Sequence, residues 1–115
     1  MTDGEILCQA CVAAAADKKA LDIVILDLRG ISTFTDYFVI CSASSEPQLK
    51  AISSSVREQV RERLGRTPFS EDGYPASQWI ILDYGDVIVH LFQVAKREFY
   101  SLENLWSDAK RIAVT

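Results

Sequence analysis

The segment from Trp79 to Phe92, WIILDYGDVIVHLF, limits the possible folds more than any other stretch of the chain. Two runs rich in Ile, Leu and Val flank a Tyr-Gly step, and such runs meeting at a turn residue read as a β-hairpin. With Tyr84 and Gly85 as a two-residue loop, Gly85 supplies the positive φ that tight hairpin turns require. Asp83 then faces Asp86, and Trp79 faces His90. Because strand side chains alternate, the hairpin has two faces. One holds Ile80, Leu82, Val87, Val89 and Leu91, all aliphatic. The other mixes Trp79, Ile81, Asp83, Asp86, Ile88, His90 and Phe92. The aliphatic face belongs against a helix, and the mixed face is where a partner or polar chemistry would be met. A three-residue loop would pair Trp79 with Val89 and abolish this separation.

The rest of the chain supplies elements to cover such a hairpin. Thr2-Asp3-Gly4-Glu5 fits a capping box, a hydroxyl at the N-cap with Glu three residues on. A helix is predicted from there to about Ala20, with Ile6, Ala10, Ala13 and Ala14 on one face. Asp22–Leu28 reads as a strand apolar on both sides, which suggests a central position. A turn-rich connection leads to a second strand, Tyr37–Ala43. Ser45 can cap a second helix, with Gln48 completing the box and Pro47 tolerated in the first turn. Leu49, Ile52, Val56, Val60 and Leu64 form its apolar stripe, and Gly65 is a natural C-cap. Thr67–Ser77 is loop with room for a short edge strand, and the tail after the hairpin reads as a short helix and an irregular segment. The order predicts one mixed α/β domain over residues 1–115, helices covering a small twisted sheet.

Composition narrows the function. Acids outnumber bases 16 to 12, a formal charge of −4, which argues against broad phosphate-backbone binding and so against DNA. The charge instead suits a basic protein partner. The four Arg between Arg57 and Arg66 read as a solvated face laced with ion pairs rather than an RNA contact. No apolar run approaches the ~20 residues of a membrane span. The N-terminal residues have neither a signal-peptide nor a transit-peptide pattern. Cys8 and Cys11 are spaced CxxC, but no second pair or His completes a zinc site, so they read as helix-face thiols in a reducing cytosol. A cytoplasmic location follows as the expectation, with no cofactor and no metal.

Catalysis finds little support in these residues. Asp83 and Asp86 could hold a metal or shift each other's pKa, but Asp beside a turn commonly makes local hydrogen bonds. His90, the chain's only His, lacks a nucleophile or acid partner. Ser42-Ala43-Ser44-Ser45 lies between a strand and a helix N-terminus, a potential phosphate site resembling the Gly-Ser turn of nucleotidyltransferases. No D-x-D or D-x-E pair follows to hold their two metal ions, and helix capping accounts for the serines. Trp79 differs, because an exposed Trp among aliphatics and acids has the composition of a protein-binding hot spot.

Three blocks in order, TDYFVICSASS, WIILDYGDVIVHLF and REFYSLENLW, resemble the ribosomal silencing factor family, also called the Iojap family. The resemblance covers Asp22 to Ala109. Ala43 stands where Gly is frequent in that family, Pro47 occupies the first turn of the second helix, and Asp72-Gly73 replaces a usual Glu-Gly. The resemblance implies a nucleotidyltransferase-like topology without the catalytic acids, and no enzymatic activity. It further implies a translational repressor that binds the large ribosomal subunit on its fourteenth protein. Such a factor obstructs joining of the small subunit when nutrients are scarce. By motif, the contact residues would be Trp79, Leu82, Asp83, Tyr84, Asp86 and His90, with Phe99, Tyr100, Leu105 and Trp106 of the tail. The competing reading is a small nucleotide-binding or nucleotidyltransferase-like enzyme on the same fold. A homodimer is a third option, since exposed apolar faces often self-pair.

Overall fold

A computed structural model describes residues 2–73 and 78–114. The elements follow the order α1 (Asp3–Asp17), β1 (Leu21–Asp27), β2 (Tyr37–Ala43), α2 (Glu46–Leu64), β3 (Ser70–Asp72), β4 (Trp79–Asp83), β5 (Val87–Gln93), α3 (Val94–Tyr100), α4 (Leu102–Leu105) and β6 (Lys110–Ile112). Six strands make one mixed sheet in the order β3-β4-β5-β2-β1-β6. Among the described residues only the β2–β5 pairing is parallel.

Capping sets the helix starts as the sequence predicts. Thr2 Oγ1 accepts from the Glu5 amide at 3.1 Å, and Ser45 Oγ accepts from the Gln48 amide at 3.2 Å. Gly65 closes α2 at φ 66°, where its amide bonds Arg61 O. α1 stops at Asp17, earlier than expected, because Lys18 and Lys19 turn the chain and Lys19 takes φ 61°. Its buried face also differs from the prediction. Leu7, Cys8, Cys11, Ala14 and Ala15 point inward, while Ile6 is 39% exposed. A helix with Ala on every side has no sharp apolar stripe, so the packing partner chose the face. Ser55 Oγ of α2 donates to Ala14 O at 2.8 Å and ties the two helices together.

α1 and α2 cover one face of the sheet. There Leu7, Cys11, Leu49, Ile52 and Val56 meet Val39, Cys41, Leu82, Val89 and Leu91. β1 lies inside the sheet, between β2 and β6, as predicted, but it is exposed at its start, and β2 is the strand buried along its whole length. β1 has a bulge between Leu21 and Val24, with Asp22 at φ 49°. The predicted edge strand exists as β3, and residues 74–77 of its loop lie outside the described residues. The tail adds β6, which the sequence reading missed, on the outer side of β1.

The hairpin partition holds, but its register does not. Trp79 pairs with Phe92, Ile81 with His90 and Asp83 with Ile88. The turn is therefore Gly85-Asp86, closed by Tyr84 N–H donating to Val87 O at 2.9 Å. Gly85, at φ 90°, takes the first central position, as a type II′ turn requires. Tyr84, too bulky for positive φ, joins the core instead. The partner of each β4 residue moves by two along β5, and an even slip leaves every side chain on its original face.

Candidate partner-binding face

On the side of the sheet away from α1 and α2, Leu26, Leu28, Phe38, Ile40 and Phe92 form a second buried cluster. Trp79 and Ile88 of the hairpin pack against it, and so do Leu102, Trp106 and Ala109 of the tail. The mixed face is thus not bare: the tail folds over part of it. Aromatic rings dominate what results. The Trp79 ring stacks on Phe92 at 4.9 Å and lies 4.4 Å from Tyr100. Trp106 meets Phe38 edge-on at 6.0 Å, and Phe34 from the β1–β2 connection lies 6.2 Å from Trp106. Phe99 and Leu105 are 75% and 73% exposed, and Phe34 is 58% exposed.

The predicted contact residues separate by depth. Phe99, Tyr100 and Leu105 are exposed, while Trp79, Asp83, Asp86 and Trp106 are half-buried. Leu82 and Tyr84 have no exposed surface. They lie on the helix-covered side, so alternation withdraws them from any docking surface. His90 is 6% exposed and sits beneath the aromatic layer rather than on it. Asp83 and Asp86 do not face each other as the first register implied. Asp83 Oδ1 accepts from the Gly85 amide at 2.8 Å, and Asp86 is ion-paired with Arg66 at 2.8 Å. Arg66 also donates to Tyr84 O at 2.8 Å and so holds the turn from outside. Phe34 was missed, because an aromatic in a turn-rich connection carries no periodic signal.

His90 serves Trp79. The indole Nε1–H donates to His90 Nδ1 at 3.2 Å, so the neutral ring carries its proton on Nε2. Phe38 meets the imidazole edge-on at 4.4 Å. Burial pushes the His90 pKa down to about 4. The unfolded chain therefore takes up the proton first as pH falls, and this stability is complete only above about pH 6.5. Denaturant midpoints should show a loss of about 2 kcal/mol between pH 7 and pH 5. A stability that stays flat over that range would place His90 in contact with solvent.

Chemistry elsewhere is muted. Ser44 donates through N–H and Oγ to Gln48 Oε1, and Gln48 in turn donates to Lys18 O and Lys19 O. The serine turn is thus engaged in capping. Cys8, Cys11 and Cys41 are buried free thiols, and burial raises each pKa, to about 12 for Cys8 and Cys41. Such thiols are poor nucleophiles. Among the described residues no group of three or more His, Cys, Asp and Glu could hold a metal ion. No helix among them is long and apolar enough to cross a membrane.

Fold and face together define a small mixed α/β domain with one side closed by helices and the other layered with aromatics. The family model described as "Ribosomal silencing factor during starvation" matches residues 2–115. The chain is 43% identical over 100 residues to the ribosomal silencing factor RsfS of Bacillus subtilis, covering 85% of this chain and 84% of that one. It is 39% identical over 98 residues to the chloroplastic protein Iojap of Arabidopsis thaliana, covering 85% of this chain and 40% of that longer one. A solved structure from Bacillus halodurans superposes with a TM-score of 0.82 at 36% identity, covering 96% of this chain and 99% of that one. A crystal structure from Chromobacterium violaceum gives 0.87 at 25% identity, covering 99% and 93%. The chain belongs to the ribosomal silencing factor family, as the three sequence blocks implied.

Proposed function

We propose that this chain represses translation by docking on the large ribosomal subunit, on that subunit's fourteenth protein, and standing where the small subunit must join. The observation that carries this reading is the tail-and-hairpin face. Phe99, Tyr100 and Leu105 are exposed beside a stacked Trp79, with Asp83 on the same strand face. Aromatic residues in such a layer are what interface cores are made of. A net charge of −4 favours a basic partner and speeds encounter with it. Blocking by occupancy needs no chemistry, which agrees with engaged serines, inert thiols and a neutral His90.

The test is sedimentation of the purified chain with purified subunits. Migration with large subunits, weakened by added salt through screening, is the expected outcome, together with fewer joined ribosomes when small subunits are then added. Migration with small subunits only, or with neither, overturns the proposal.

A further inference from the structure

The tail helices lie on the sheet with side chains that are at most partly buried. No residue of α3 or α4 is buried. Beneath the tail, Leu102, Trp106 and Ala109 give partial apolar contact. Tyr100 stacks beside Trp79 and β6 pairs with β1, and the polar part of the attachment centres on Arg97, whose side chain is only 12% exposed. From α3, its Nε donates to Glu103 of α4 at 2.8 Å. Its Nη1 donates to Ser42 Oγ of β2 at 3.0 Å and to the carbonyl of Asp22 in β1. Glu103 lies within 3.5 Å of Arg111 on β6 as well. One guanidinium therefore joins α3, α4 and two strands, and a single carboxylate extends the link to a third.

The parts fit each other. The β1 bulge takes Asp22 out of regular pairing, and its carbonyl accepts from Arg97. The hydrogen bond from Arg97 holds the Glu103 carboxyl below its ordinary pKa. The cleft of about 360 Å³ alongside contains Glu98 and Glu103 as well as Arg111. The charge of Arg97 is therefore neutralised within the fold and not offered to a ligand anion.

We infer that Arg97 is a positioning residue of the docking face: it holds α3 and α4 on the sheet in the arrangement that presents Phe99, Tyr100 and Leu105 to the partner. This inference rests on the docking reading above. A released tail leaves those side chains in place for only a fraction of the time, and apparent affinity falls by that fraction. Lys keeps the charge but lacks the planar fork that reaches several acceptors at once. Arg97→Lys should therefore behave as a partial loss and not as a conservative change.

The experiment compares wild type, Arg97→Lys, Arg97→Met and Glu103→Gln by amide hydrogen exchange, and then by affinity for purified large subunits. Exchange over residues 94–112 should accelerate about tenfold in Arg97→Met while α1 and α2 keep their protection. Affinity should fall about tenfold. Phe99→Ala should lower affinity by the same factor in the Arg97→Met background as alone, because the fraction of attached tail multiplies the intrinsic affinity. A merely structural Arg97 would lower protection throughout the fold, α1 and α2 included, instead of over the tail alone. If Arg97→Met does not fold, Arg97→Lys carries the same comparison. Unchanged exchange in the tail, or a loosened tail with undiminished binding, overturns the positioning role. Failure of the wild-type chain to bind large subunits overturns the docking reading instead, and the tail exchange then decides separately whether Arg97 holds the tail.

Discussion

Trp79→Ala should weaken large-subunit binding about a hundredfold and lower stability by about 3 kcal/mol at the same time. The two losses have different origins. Binding falls because the indole supports the exposed layer: it touches Tyr100 at 4.4 Å and, through it, the Phe99 ring 5.2 Å away. Stability falls because the ring is half-buried against Phe92 and because His90 Nδ1 loses its donor inside an apolar pocket. A buried acceptor left unpaired costs roughly 1–3 kcal/mol. Trp79→Phe separates the terms. It keeps a ring to stack and removes the N–H, so it should retain most binding while losing about 1 kcal/mol of stability. Thermal melts and subunit affinity measured well below the melting temperature decide the matter. A Trp79→Ala protein that melts early yet binds normally would make Trp79 a core residue only.

Leu82→Ala should do the reverse. The side chain is fully buried on the helix-covered side of β4. Its removal leaves a cavity among side chains that cannot close around it, and the expected cost is about 4 kcal/mol. A domain of this kind has roughly 5–15 kcal/mol in total, so the melting temperature should drop sharply. The folded fraction should still bind large subunits with wild-type affinity at low temperature, because nothing on the outer face has changed. A Leu82→Ala protein that keeps its melting temperature but loses binding would mean that Leu82 reaches the partner after all. It would also reverse the two sides of the hairpin. Leu82 and Trp79 are three residues apart on one strand, so the pair tests the assignment of faces directly.

Local signals carried much of the fold. Thr2 and Ser45 mark helix starts through short-range hydrogen bonds that a sequence states outright, and Gly65 marks a helix end the same way. β2 runs over the predicted residues because Tyr37–Ala43 is apolar on both sides. The partition of the hairpin was also legible, since it depends only on alternation, and alternation survives a slip of two residues. Register was not legible. It depends on which residue can take positive φ at the turn, and on how β5 lies along β2, a strand about fifty residues earlier in the chain. The cover on the mixed face was equally out of reach. β6 is three residues long and shows no period, and it becomes a strand only because β1 offers it a free edge. Arg97 looks like any charged residue on a short helix until the bulge at Asp22, Ser42 and Glu103 converge on it. The sequence alone determined which side of each strand is apolar. Tertiary structure decided what lies over it, because that depends on pairings between residues far apart in the chain, which no local pattern encodes.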